Sequence, residues 1–412
     1  MGCAFLIEKD TAVAHELNGH LFGPGPKRIL ALDGGGIRGI LTLQMLRRIE
    51  ELVRQRTGNP QAVLSDYFDL IGGTSTGAII ASALALGWPI DRVETLYKEF
   101  GLDIFKSSMF RKGLLRPKFS ANAIRVGLER EFKDIKLGGP ELKTGLAIVV
   151  KRLDTGSPWV IHNCPKGVFF NQLHGSGSTP NKDFLLREVV RASAAAPTYF
   201  EPEIISVSSE IKGAFVDGGV SPHNNPALQL LMLAALKRHG LNWPIGNDNI
   251  LIVSLGTGSR TTVLAQDKVM KMTAAELGVR GLSSLMDDVS ALNETLLQWL
   301  SDSPTAREID SEIGDLREDF LGGGNPLLTY LRYNVEFDPA WLKRHLDLDY
   351  TPDQLDSVAQ MDKPENMADL IKIGRAAISL IDEAHFDPKF DIPSAPSGEK
   401  RDRPSDDQEQ WT

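Results

Sequence analysis

The segment Gly73-Thr74-Ser75-Thr76-Gly77 sets a serine in a G-x-S-x-G pattern, the arrangement in which a serine hydroxyl attacks a carbonyl carbon. Gly73 and Gly77 permit a tight turn that lifts the hydroxyl clear of the backbone, and Thr74 and Thr76 complete the elbow. A helix starting at the serine aims its N-terminal dipole at it and favours a developing oxyanion. Such a serine needs backbone donors and a base. Gly34-Gly35-Gly36-Ile37-Arg38-Gly39 fits G-x-G-x-x-G. One reading is a dinucleotide-binding turn, which calls for a second strand ending in an acidic residue about 20 positions on. Residues 40–56 read as one continuous helix, so Glu50 and Glu51 are helical and no second strand fits. The other reading is an oxyanion hole, with successive backbone N–H groups turned into a cleft.

For the base, the usual hydrolase order is serine, acid, histidine. The downstream histidines are His162, His174, His223, His239, His345 and His385, and only His223 lies in a suggestive stretch, Asp217-Gly218-Gly219-Val220-Ser221-Pro222-His223-Asn224-Asn225-Pro226. Asp217 is the stronger candidate. It follows an apolar strand, and Gly218 and Gly219 leave its carboxylate unobstructed at the sheet edge. A free aspartate, with a pKa of about 3.9, is a poor base for a hydroxyl. Partial burial raises it, and a serine already bonded to it needs no separate relay.

The elements that position these residues alternate. Arg28–Leu32 is a continuous apolar strand running into the glycine turn, and Ile40–Arg56 follows with helical spacing of apolar residues at 43, 46, 49, 52 and 53. A second unit repeats the plan: strand 67–71, turn 72–75, helix 76–86 ending before Gly87, then a helix at 90–100. Strands at 145–151 and 157–161 flank an Asp154-Thr155-Gly156 turn. A helix spans 184–195 and stops at Pro197. Ala214-Phe215-Val216 delivers Asp217, helix 225–239 follows, and Ile250–Leu255 is a further buried strand. This alternation predicts an α/β sheet with helices on both faces. Beyond residue 260 the pattern weakens to helices at 282–300 and 364–384 and a strand at 330–337.

Together, the ordered segments Asp33–Gly39, Gly73–Gly77 and Asp217–Gly219 resemble the patatin-like phospholipase family. Arg191-Ala192-Ser193-Ala194-Ala195-Ala196-Pro197-Thr198-Tyr199-Phe200, Asn224-Asn225-Pro226 and Ser254-Leu255-Gly256-Thr257-Gly258 are similar to the family as well. The resemblance implies a patatin-like three-layer α/β fold, with a central, mostly parallel sheet flanked by helices. It implies a lipid acyl hydrolase of phospholipase A or lysophospholipase type in which Ser75 attacks and Asp217 takes its proton. The N–H groups around Gly35 and Gly36 would hold the oxyanion, and Arg38 would stabilise the loop or face a phosphate headgroup. The expected partner is a phospholipid or other glycerolipid. No metal and no cofactor are implied, and no Asp-rich calcium loop appears. An acyltransferase using the same acyl-enzyme, and a nucleotide-activated phospholipase effector, stand as alternatives. The expected organisation is an irregular leader at 1–26, a catalytic domain at 27–260, a mainly helical part at 261–390 packed on it, and a disordered tail at 391–412.

The 412 residues include 42% apolar and 24% charged residues, ample for a sizeable core. A net charge of −9 argues against a general nucleic-acid binder. The two cysteines, Cys3 and Cys164, form no disulfide framework and suit a reducing compartment. Leu6 stands where a myristoylation pattern wants Ser or Thr. Glu8, Asp10 and Glu16 are wrong for a signal peptide, and no apolar run reaches the roughly 18 residues of a membrane span. A cytoplasmic protein is expected. The run 104–119 interleaves aromatics with Lys106, Arg111, Lys112, Arg116 and Lys118. It reads either as a peripheral contact with an anionic lipid surface, or as a loop with its apolar residues in the core and its cations solvated. Nothing in the sequence sets the oligomeric state.

Overall fold

A computed structural model describes residues 16–106, 121–171, 177–197, 199–260, 264–321 and 324–392. At its centre is β1 (Lys27–Leu32), whose apolar run is buried along almost its whole length. Such a strand has no polar face to offer solvent, so it must lie between two layers. It does: Leu30 and Leu32 face one apolar cluster and Ile29 and Ala31 the other. The first cluster is built with α1 (Gly39–Thr57) and α2 (Thr76–Ala85), the second with α5 (Ala227–Ala235).

Among the described residues the sheet has eight strands. β1 pairs in parallel with β2 (Leu70–Thr74) on one side and with β7 (Ile250–Leu255) on the other. β2 pairs in parallel with β3 (Gly145–Arg152), and β7 with β8 (Thr329–Tyr333). Antiparallel pairs enter at the β3 end, where β3 meets both β4 (Ser157–His162) and β6 (Lys212–Asp217), and β6 meets β5 (Glu203–Ser206). The architecture is an α/β sheet with helices on both faces, as the alternation predicts, and mostly parallel, as the family resemblance implies.

The register on β3 brings the site together. β2 covers β3 from Gly145 to Val149 and stops with Thr74 opposite Val149. β6 then takes over with Asp217 opposite Val150. β4 overlaps both stretches, so it must lie on the other edge of β3, and β2 and β6 share one edge. They approach each other head-on, and the residue after Thr74 meets the last residue of β6.

Several boundaries differ from the sequence reading. The strand expected at 67–71 starts later, as β2 at Leu70–Thr74, after a short helix at Leu64–Tyr67. Apolar content at Tyr67 and Phe68 cannot distinguish a buried turn of helix from a strand. Asp69 then docks by bonds to Arg28 and His20, which sets the strand's start. The helix expected at 225–239 ends at Ala235, with a 3-10 turn at Lys237–His239. The helix expected at 184–195 is α4 (Leu186–Ser193), and that at 90–100 is α3 (Ile90–Lys106). The helix expected from 282 is α6 (Ala274–Leu300), started earlier by a capping box between Thr273 and Glu276. The single helix expected at 364–384 is broken into 3-10 Pro364–Asn366, α7 (Met367–Ala376) and 3-10 Ala377–Leu380. Residues 16–22, read as irregular, are helical, and Leu21 is buried with its carbonyl accepting from Trp243 Nε1. The basic and aromatic run falls almost wholly outside the described residues, as do 1–15 and 393–412.

Candidate functional site

Ser75 adopts φ 56° and ψ −124°, a conformation rare for a residue with a side chain. The turn holds because its neighbours are glycines. A Cβ on Gly73 would lie 2.2 Å from the Gly77 carbonyl oxygen, and one on Gly77 would lie 2.3 Å from that of Leu32. Thr74 Oγ1 donates to the His223 carbonyl at 2.6 Å, tying the elbow to the loop after Asp217. Thr76 opens α2, whose N-terminus lies next to Ser75.

Ser75 Oγ donates to Asp217 Oδ2 at 2.5 Å. Asp217 Oδ1 accepts the Gly219 N–H at 2.7 Å, so the two glycines after the aspartate turn a backbone donor onto its carboxylate. Gly218 has no room for a side chain, since a Cβ there would lie 2.4 Å from the Val149 oxygen. Both members of the pair are buried, at 9% and 5% exposure. Burial pushes the Asp217 carboxyl up to about 6, opposed by the Ser75 hydroxyl, the Gly219 N–H and the charge of Arg191. That is close to the optimum for a base working near neutral pH.

The loop Gly34–Gly39 lies against the elbow: a Cβ on Gly34 would come within 3.0 Å of Ser75 Cβ. Of its N–H groups, that of Gly34 donates to Asn224 O, that of Ile37 to Met361 O and that of Arg38 to Gly35 O. Gly39 N–H turns back to Gly36 and Ile37. Among the described residues no protein acceptor takes the N–H of Gly35 or Gly36, and Gly36 has φ +57°. The six-residue segment thus narrows to two free donors. Arg38 is half-buried, with Nε 3.4 Å from the Gly35 carbonyl and the charge of Asp287 nearby. Its guanidinium thus touches the loop it belongs to.

No histidine ring bonds to Ser75 or Asp217 among the described residues. His223 contributes its backbone carbonyl, and burial lowers its ring pKa. His162 is buried against Cys164 and His239, away from the pair. His174 lies outside the described residues. No cluster of potential metal ligands occurs among the described residues, and no helix there is long and apolar enough to cross a membrane.

Two anchors were not assigned from the motifs. Ser193, the last residue of α4, accepts the Ser75 N–H at 2.9 Å and donates to Val149 O at 2.7 Å, while Ala195 O accepts the Asp217 N–H at 3.0 Å. One short segment therefore holds both members of the pair. Asn224 wedges its side-chain oxygen between Gly34 and Gly219, where Cβ atoms would come within 2.6 and 2.9 Å of it. Their only sequence signal was membership of the stretches Arg191–Phe200 and Asn224–Pro226.

Comparison with known proteins bears on this geometry. The family model for patatin-like phospholipase matches residues 30–231, which contain all three motifs. A cUMP-AMP-activated phospholipase of Escherichia coli is 33% identical over 315 residues, 74% of this chain and 88% of that protein. A cGAMP-activated phospholipase of Escherichia coli (strain TW11681) is 29% identical over 240 residues, 56% of this chain, which spans only 62% of that protein's length. A probable inactive patatin-like protein 9 of Arabidopsis thaliana is 28% identical over 336 residues, 77% of this chain and 82% of that one. Similarity therefore reaches proteins of differing activity, and what this chain does must be argued from its own site. The motifs, the sheet that converges them and the match over most of a 33%-identical relative make the chain a member of the patatin-like phospholipase family.

Proposed function

We propose that this protein is a lipid acyl hydrolase that cleaves carboxylic esters of glycerolipids through a Ser75–Asp217 dyad. The observation that carries the reading is the 2.5 Å bond from Ser75 Oγ to Asp217 Oδ2, with no imidazole bonded to either residue among the described ones. Asp217 takes the hydroxyl proton as Oγ bonds to the acyl carbon. The carbonyl oxygen becomes an oxyanion held by the free N–H groups of Gly35 and Gly36, aided by the α2 N-terminus. Collapse of the tetrahedral intermediate breaks the ester C–O bond, and the departing alkoxide recovers the proton from Asp217. Water, deprotonated by the same carboxylate, then attacks the acyl-enzyme; the acyl–Oγ bond breaks, Asp217 returns the proton to Ser75 Oγ, and the fatty acid is released. No step calls on a metal or cofactor. An alcohol in place of water would give acyl transfer through the same intermediate, and product analysis with and without an added acceptor separates the two.

Activation by a nucleotide is a second reading, and one observation favours it. Two relatives are named as cyclic-dinucleotide-activated phospholipases, and a 315-residue alignment with one of them cannot fit within residues 30–231. The similarity therefore includes sequence outside the part that carries the motifs. We read 27–260 as the catalytic part and 261–390 as packed on it, with β8 from the latter completing the sheet. The protein is taken to be cytoplasmic, with membrane contact through residues 104–119 resting on their charge pattern alone. The test is to incubate the purified protein with a mixed lipid extract, with and without cyclic dinucleotides, and to identify released fatty acids and lysolipids. Release that Ser75→Ala abolishes supports the reading. Release that persists in Ser75→Ala, or none under any condition, refutes it.

A further inference from the structure

We propose that Arg332, from the far end of the sheet, is a positioning residue for the oxyanion loop. The inference rests on the dyad reading above and deepens it. The residue before the glycines is Asp33, whose side chain is 8% exposed. A carboxylate so far from water is costly unless it is paired and its oxygens are bonded. Arg332, itself 7% exposed at the side chain, meets it with two parallel bonds, Nη1 to Oδ1 at 3.0 Å and Nη2 to Oδ2 at 2.7 Å. The fork geometry fixes direction as well as distance. Arg332 Nη1 also donates to Ser254 Oγ at 2.8 Å, locking the guanidinium to β7. On its other side Glu294 lies 3.9 Å from Nε and bonds Arg307 through both oxygens.

What this pair anchors is the stretch with the free donors. Asp33 N–H donates to Leu255 O at 3.1 Å, and Gly34 O accepts from Thr257 Oγ1 at 3.0 Å. On the far side Ile37 N–H donates to Met361 O at 2.9 Å. Between these fixed points, among the described residues, only the Gly35 and Gly36 N–H groups are left over, and their direction is set by the two flanks together with Tyr97 Oη, which donates to the Gly36 carbonyl. Glycines hold no direction of their own. Arg332, Thr257 and Met361 all lie beyond residue 231, so the part of the chain outside the matched family stretch helps to set the geometry of the donors inside it. A displacement of about 1 Å in such a group costs on the order of 10²-fold in rate.

The test compares the full-length protein with Arg332→Met, Asp33→Asn/Arg332→Met and Arg332→Lys. The readouts are the rate at which a fluorophosphonate labels Ser75, kcat and KM on a soluble ester, and Tm. Arg332→Met should slow labelling and lower kcat by about 100-fold, with KM changed by no more than about threefold. It should also lower Tm, because Asp33 is left buried and unpaired. The double variant removes that charge and should regain most of the Tm while labelling and kcat stay low. That separation is what a merely structural role would not produce. Arg332→Lys keeps the charge but loses the fork, and should slow labelling about tenfold with little change in Tm; it carries the test if the neutral pair fails to fold. Labelling at the wild-type rate in a folded Arg332 variant, or recovery of labelling together with Tm in the double variant, overturns the proposal. Absence of labelling in the wild-type protein overturns the dyad reading, and this inference with it.

Discussion

Replacing Asp217 by Asn should inactivate the protein and stabilise it at the same time. The carboxyl titrates at about 6 in the folded protein against 3.8 when solvated, because burial penalises its charged form. The native state therefore holds the proton more tightly than the unfolded state. Its contribution to stability is undiminished below pH 3.8, falls as pH rises toward 6, and above 6 is a constant penalty. A shift of about two pH units at about 1.36 kcal/mol each makes that penalty about 3 kcal/mol. An Asn side chain carries no charge to desolvate. It can still accept from Ser75, but its amide nitrogen cannot accept the Gly219 N–H, a loss of about 1 kcal/mol. The balance is a gain of about 2 kcal/mol at pH 8, vanishing or reversing at pH 4. Ester hydrolysis should fall by about 10²–10⁴-fold, the usual worth of a general base. Urea unfolding of both proteins at pH 4, 6 and 8 measures the first claim. The pH profile of wild-type kcat/KM measures the second, with a limb near 6 below which the rate falls about tenfold per unit. A variant less stable than wild type at pH 8, or a limb near pH 4, would show that the carboxylate is not the strained, desolvated base inferred from its surroundings.

Ser75→Ala should abolish hydrolysis and fluorophosphonate labelling with the fold intact by circular dichroism, and adding Asp217→Asn should cost no further activity, since the two act as a unit. His223→Ala should keep much of the activity, because only its backbone carbonyl serves the elbow; a loss equal to that of Asp217→Asn in a folded protein would make the site a triad. Gly77→Ala sets a Cβ 2.3 Å from the Leu32 carbonyl oxygen and should cost roughly 3 kcal/mol or more by urea unfolding, with the nucleophile displaced. Changing Lys106, Arg111, Lys112 and Arg116 to Gln should weaken co-sedimentation with anionic vesicles and leave hydrolysis of a soluble ester nearly unchanged; equal losses on both would assign the run to the fold.

What the sequence disclosed about this site followed from how local each constraint is. Gly73, Gly77 and Gly218 are glycines because backbone atoms lie where a Cβ would be, and that requirement leaves a mark at the residue itself. β1 and β7 are buried along nearly their whole length, so unbroken apolar runs betray them. The start of β2 leaves no local mark, because Asp69 is held there by Arg28 and His20, partners 41 and 49 residues away. Ser193 and Arg332 lie at the same extreme. A serine ending an amphipathic helix, and an arginine in a C-terminal strand, are ordinary in type and spacing. Only the register of the sheet carries them to Ser75 and Asp33, across 118 and 299 residues of chain. That difference has a chemical cause. Attack and proton transfer need particular atoms at contact distance, so few residue types can serve, and they recur as motifs. Holding those atoms still needs only a donor or acceptor arriving from the right direction, which any part of the fold can deliver. The Ser75–Asp217 pair was therefore readable from short patterns, while the groups that hold it became visible only once β2 and β6 met on one edge of β3.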